Sequence, residues 1–154
     1  MKTSILRWFS KLALVLPLSL AACSPSARLV PPAGFAHIEG DYDDRISSAR
    51  GVVVGVRSLP NEPRANLGFW SEAIDLRLKQ RGYVVKSGPV QVKSKSGLVG
   101  QGLRYEYGTR KYWVDIYVTD TRILLVEATG RAQDLDASAD AVTSAMRDVG
   151  GTGS

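Results

Sequence analysis

The first 22 residues settle which part of this chain is left to fold. Lys2, Arg7 and Lys11 precede an apolar run, Leu12–Leu20 (LALVLPLSL), and Leu20-Ala21-Ala22 then supplies small residues ahead of Cys23. A basic start, a short apolar segment and small residues at its end make the layout of a secretory signal. The run is too short for a membrane-spanning helix, which needs ~20 residues to cross the hydrocarbon. Removing residues 1–22 from the 154-residue chain leaves 132, enough for one domain. It also removes three cations, so the net charge falls from +5 to +2 and a nucleic-acid partner is not expected. One Cys and one His exclude an internal disulfide framework and the multi-Cys zinc patterns.

The segment Leu20-Ala21-Ala22-Cys23 resembles the lipobox of bacterial lipoproteins. That resemblance implies cleavage between Ala22 and Cys23, a diacylglyceryl thioether on Cys23 and acylation of the new amino terminus. Several acyl chains at ~0.8 kcal/mol per buried methylene hold a protein on a membrane stably. Ser24 follows the cysteine; by the same resemblance, its not being Asp implies an outer-membrane location facing the periplasm. With the thiol lipidated, no cysteine remains for redox or nucleophilic chemistry.

Residues 23–37 are rich in Pro, Ser and Ala and read as the lipidated cysteine followed by a flexible tether, with a single domain over 38–149 and a frayed tail at 150–154. Tyr42–Ala49 and Val52–Ser58 flank Arg50-Gly51 as a hairpin, with Val52, Val54 and Val56 on one face. Asn66 is placed to cap a helix that ends at Gly82, with Leu67, Trp70, Ile74 and Leu78 along one side. Tyr83–Lys86 and Val90–Lys93 form one bent strand or two. Leu98–Tyr107 follows, its Gly100 and Gly102 marking a bulge or a close backbone approach. Tyr112–Thr119 alternates Val114, Ile116 and Val118 against Trp113, Asp115 and Tyr117. Arg122–Thr129 is apolar on both faces, as in an inner strand. A last helix opens at Asp134 or Asp136 and carries Leu135, Ala139, Val142, Met146 and Val149.

The order β-β-α-β-β-β-β-α predicts an α+β domain: a mainly antiparallel sheet of about six strands flanked by two helices, in an α/β/α sandwich. The helix Asn66–Tyr83 (NLGFWSEAIDLRLKQRGY) and the strands in Gly102–Gly130 (GLRYEYGTRKYWVDIYVTDTRILLVEATG) resemble the PsbP/Mog1/DcrB-like fold, over roughly residues 40–149. Members of that fold serve as assembly factors, small-protein partners and envelope lipoproteins. The resemblance therefore implies an interaction role.

Catalytic, metal and cofactor sites find no support in the residue patterns. Asp41, Asp43 and Asp44 lack the spacing of a calcium loop, and Gly97, Gly100 and Gly102 lack that of a phosphate loop. His37 has no acidic residue at a recognisable spacing. Lys93-Ser94-Lys95-Ser96 are adjacent, so their side chains diverge. The surface picked out instead is Trp113, Asp115 and Tyr117 with Arg104 and Glu106 on the preceding strand, because aromatics with Arg are favoured at binding hot spots. If a helix covers that face, Trp113 and Tyr117 belong to the core. The resulting reading is a non-catalytic binding or assembly lipoprotein with a protein partner in the envelope. The alternatives are an envelope hydrolase or a small-ligand carrier with an apolar pocket between sheet and helix.

Cys23→Ser is expected to abolish lipid attachment, leaving uncleaved precursor or a soluble species. Metabolic labelling with a radioactive acyl donor checks this; an unlabelled wild-type protein contradicts the lipobox.

Overall fold

The computed structural model describes residues 28–149; the signal segment, Cys23 and the 150–154 tail lie outside the described residues. Ten elements follow in order: β1 (Phe35–His37), β2 (Asp44–Ser48), β3 (Val53–Pro60), α1 (Leu67–Gln80), β4 (Val84–Lys93), β5 (Val99–Tyr107), β6 (Arg110–Val118), β7 (Arg122–Arg131), α2 (Ala132–Ala137) and α3 (Ala139–Arg147). The strands form one antiparallel sheet in the order β1-β2-β3-β7-β6-β5-β4.

The expected α+β architecture is present, with two differences in its elements. First, the sheet has seven strands rather than about six, because β1 arises within the segment read as a tether. Phe35 pairs with Ser48 and His37 with Ile46. Contacts with the domain begin earlier than β1: Leu29 is 2% exposed and its N–H donates to Asp44 Oδ2 at 2.6 Å. Burying one leucine at ~25 cal/mol per Å² is what draws this Pro-rich stretch onto the domain. Of the two arrangements left open for residues 83–93, β4 is the single bent strand, with its register shifted between Val85 and Val90. Second, the last helix is two. Ser138 separates α2 from α3, and its hydroxyl donates to the Asp134 carbonyl at 2.7 Å. A Ser side chain competing for helix carbonyls breaks the run while the apolar stripe continues. Leu135, Val142, Met146 and Val149 are all buried, as expected, whereas Ala145 rather than Ala139 completes the stripe.

The strict alternation of β6 sorts two cores onto opposite sides of the sheet. Val114 and Ile116 join Leu103, Tyr105, Ile123 and Leu78 beneath α1, with Leu67, Trp70 and Ile74 packed alongside. Tyr117 joins Val54, Val56, Val126, Leu135, Val142 and Met146 beneath α2 and α3. The helix capped by Asn66 thus meets the valine–isoleucine face, as its spacing predicts. Asn66 Oδ1 accepts the Phe69 N–H at 2.9 Å, and Gly82 ends the helix at φ +89°. Trp70 is only half-buried, and its Nε1–H donates to Asn61 Oδ1 at 2.8 Å.

Gly100 and Gly102 of β5 mark a close backbone approach. A Cβ on Gly100 would lie 2.3 Å from the Ile116 carbonyl oxygen and 2.6 Å from the Tyr117 ring. A Cβ on Gly102 would lie 2.9 Å from Asp115 Oδ1. The two glycines are cut-outs for the large β6 side chains opposite. Gly100→Ala is therefore expected to cost ~1–3 kcal/mol, the usual range for forcing extra atoms into a packed site. Chemical denaturation checks this, and an unchanged midpoint would mean that Gly100 does not face Tyr117.

Candidate functional site

The two helical layers are staggered across the sheet. α1 packs on β4, β5 and β6, whereas α2 and α3 together pack on β3, β6 and β7. Each layer therefore leaves half of its sheet face without a helix, and the open halves are diagonally opposed.

The first open half lies on the α3 side at β4 and β5, where the sequence-derived surface was expected. Strand register puts Glu106 beside Lys111, Arg104 beside Trp113, Gly102 beside Asp115 and Gly100 beside Tyr117. All five expected residues thus share one face, but they divide between surface and core. Tyr117 is 0% and Asp115 2% exposed, because α3 covers that end of the strand. Neither can touch a partner, so this part of the expected surface is corrected to core.

Asp115 stays tolerable there through Arg104, whose Nη1 donates to Asp115 Oδ1 at 2.8 Å and to the Val114 carbonyl at 3.3 Å. Burial still pushes the Asp115 carboxyl above the usual carboxylate range, and Arg104 offsets that only in part. The Arg104 guanidinium also stands 5.1 Å from the centre of the Trp113 ring. Arg104, Glu106 and Trp113, with Lys86 and Lys111, line a pocket of about 230 Å³. Its charges are satisfied internally: Lys86 Nζ is 2.9 Å from Glu106 Oε2, and Lys111 Nζ is 2.7 Å from Asp136 Oδ1.

The second open half lies on the α1 side at β3 and β7, and the sequence reading did not single it out. Arg57, Leu59, Leu125 and Glu127 share this face through the β3–β7 register. Beside α1 they bound a cleft of about 360 Å³ with Ile74, Leu78, Tyr112 and Val114, under Arg77 and Arg81 at the helix end. Glu127 is the polar centre of its floor. One carboxylate oxygen accepts the Tyr112 hydroxyl, and the other lies 3.2 Å from Arg57 Nε. Arg57 is further held 4.1 Å over the Tyr42 ring, which occupies the space that a side chain on Gly55 would fill. Among the described residues, neither Arg77 nor Arg81 has an ion-pair partner. The sequence did carry a signal: Arg57 interrupts a strand of valines, Glu127 interrupts RILLVEAT, and Arg77 and Arg81 are one turn apart.

The remaining polar clusters are structural. Asp44 accepts from the Leu29 and Arg45 N–H groups and pairs with His37 Nδ1 at 3.0 Å. Asp43 accepts the Ser58 N–H. Ser94 Oγ accepts the Leu98 N–H at 3.0 Å and bonds Ser96 Oγ at 2.8 Å, while Lys95 pairs with Asp148. That turn fastens the β4–β5 hairpin to the end of α3, and it leaves Ser94 and Lys95 engaged with different partners.

No family model and no curated protein sequence matches the chain. Among the solved structures that share its fold are two whose descriptions can be compared with it. LpqN of Mycobacterium tuberculosis, described as involved in cell envelope biogenesis, superposes with a TM-score of 0.62 at 12% identity, covering 82% of this chain and 83% of LpqN. The cyanobacterial PsbP of Synechocystis sp. PCC 6803 gives a TM-score of 0.51 at 9% identity over 76% of this chain and 81% of its own. The expected resemblance in fold is therefore present.

Three tyrosines in these two faces are held neutral. Burial, then the Asp75 carboxylate, pushes Tyr105 well above the usual phenol range; burial, then Glu127, does the same to Tyr112. Burial, then the nearby Asp115, pushes Tyr117 up to about 12. A phenol raised in the folded state above its unfolded value of ~10 contributes stability below pH ~10 and loses it as pH rises through the folded value. Alkaline unfolding is thus expected above pH ~10. The tyrosinate absorbance of these three of the six tyrosines should emerge only as far-UV circular dichroism is lost. All six ionising with the fold intact would contradict their burial.

Proposed function

We propose that this chain is a lipid-anchored, non-catalytic binding protein of the bacterial cell envelope, held at Cys23 on the outer membrane and facing the periplasm. Its cleft between α1 and β3 receives an acidic segment of an envelope protein partner. The observation that carries this reading is the pair Arg77 and Arg81, which among the described residues have no ion-pair partner and stand over a floor that joins Leu59, Ile74 and Leu125 to the Arg57–Glu127 pair. Cations suit the C-terminal end of a helix. Two of them one turn apart, beside Arg57 and an exposed leucine, go beyond what the helix needs. Arg and Tyr around a partly desolvated cleft are the residue types that dominate binding energy.

Other features agree with a binding role. In the Lys93–Ser96 run, Ser94 and Lys95 are committed to turn and helix-end contacts with different partners. The cleft is open along β3, which suits an extended segment better than an enclosed small ligand. The fold neighbour LpqN is described as involved in cell envelope biogenesis, which fits an envelope role here.

Photocrosslinking in the native envelope tests the reading, with a photoreactive residue at Leu59 in the cleft or at Glu106 on the opposite open half. The Leu59 position should give a defined adduct whose crosslinked peptide is rich in Asp and Glu. The double reversal Arg77→Glu and Arg81→Glu should remove it without changing the circular dichroism. An adduct from Glu106 alone, or one indifferent to the charge reversal, would refute the cleft as the partner site.

A further inference from the structure

We infer that the β1 edge of the domain, around Leu29, is the surface that rests on the headgroup layer of the membrane. This inference rests on the anchoring at Cys23 proposed above. It follows from the length of chain outside the described residues and from where that chain ends. The domain was expected to start at residue 38, giving a tether of 14 residues after Cys23 and a reach of ~43 Å at ~3.1 Å per residue. Leu29, however, is already latched, buried at 2% exposure with its N–H on Asp44 Oδ2. Six residue steps separate it from Cys23. Fully extended, at ~3.3–3.6 Å each, they span only ~20–22 Å.

The sheet is wider than that reach. Its seven strands stand ~4.8 Å apart, so β4 lies ~29 Å from β1. With β4 on the membrane, Leu29 would stand farther away than the short linker allows. The geometry therefore excludes the β4 edge as the membrane face and keeps Leu29, with the β1 edge beside it, within ~20–22 Å of the bilayer.

The surface around the latch suits a headgroup layer. Val30 is 62% and Ile38 39% exposed, on either side of the short β1 strand, and Arg28 is exposed next to the latched leucine. Exposed apolar residues beside a cation fit the interface between headgroups and acyl chains. Glu39 and Asp41 follow Ile38 and are exposed too, which keeps this contact shallow.

The test uses the full acylated protein in vesicles of phosphatidylethanolamine and phosphatidylglycerol, with a photoreactive residue at Val30, Ile38 or, on the far edge, Val90. Lipid adducts should form at positions 30 and 38 and be several-fold fewer at 90. Inserting about ten flexible residues between Ser26 and Arg28, which adds up to ~33–36 Å of reach without touching the fold, should lower the adducts at 30 and 38 and even out the three positions. Equal labelling at 90 in the unaltered acylated protein, or no labelling at any position, would overturn the inference while leaving the anchor intact. The mass of the intact protein reports the acyl chains separately; a protein without them fails the anchoring reading itself, and this inference with it.

Discussion

The alternation of side chains along β6 is the constraint on which the rest of the structure depends. This strand lies inside the sheet and has a helical layer on each side, so both of its faces are needed for core. Val114 and Ile116 close one core and Tyr117 closes the other, all at 0% exposure. A one-residue slip against β5 or β7 would exchange the two sets, placing Asp115 under α1 and valines over the glycine cut-outs. Gly100 and Gly102 hold the register in place, because only those positions leave room for the Tyr117 ring and the Asp115 carboxylate.

That same strand also explains why one ion pair is buried and others are not. Asp115 sits on the α3 side where the helical layer ends, and Arg104 reaches it from the margin of the open half. The pair therefore joins the core to the surface: one end excluded from water, the other stacked on Trp113 at 5.1 Å. Removing one partner of such a pair leaves an uncompensated buried charge, which is far more costly than losing a surface bridge. The contact orients Arg104 and Trp113 as a fixed unit, so this half of the sheet reads as a stable wall with its charges already paired. The cleft beside α1 differs in this respect. Its floor is a paired group, Arg57 with Glu127, but its upper rim carries Arg77 and Arg81 with no opposite charge among the described residues. Charge that a domain does not neutralise itself is what complements another molecule.

Much of this was legible in the residues. The two helical stripes, the hairpin valines, the double-sided β7 and the two faces of β6 all follow from periods of 3.6 and 2, which are local properties of the backbone. Three things were not local. Leu29 packs across strands distant in sequence, so a Pro-rich segment that reads as linker becomes part of the domain. Ser138 interrupts a continuous apolar stripe through its own hydroxyl, leaving the burial pattern almost unaltered. The burial of Tyr117 and Asp115 depends on where α3 ends across the sheet, and alternation says only which face they occupy.

The sequence by itself determined the α+β order of elements and the division of each strand into two faces. Those follow from local geometry and the short-range demands of apolar periodicity. Only the tertiary structure decided which half of each face stays open, because that depends on how two helical layers are offset across seven strands. It alone brought Arg57 of β3, Arg77 and Arg81 of α1 and Glu127 of β7 around one cleft, since these residues are up to 70 positions apart in the chain and share no repeat or motif. It alone placed Leu29 in the core, because the burial of that side chain is a contact between distant segments, and no local pattern encodes it.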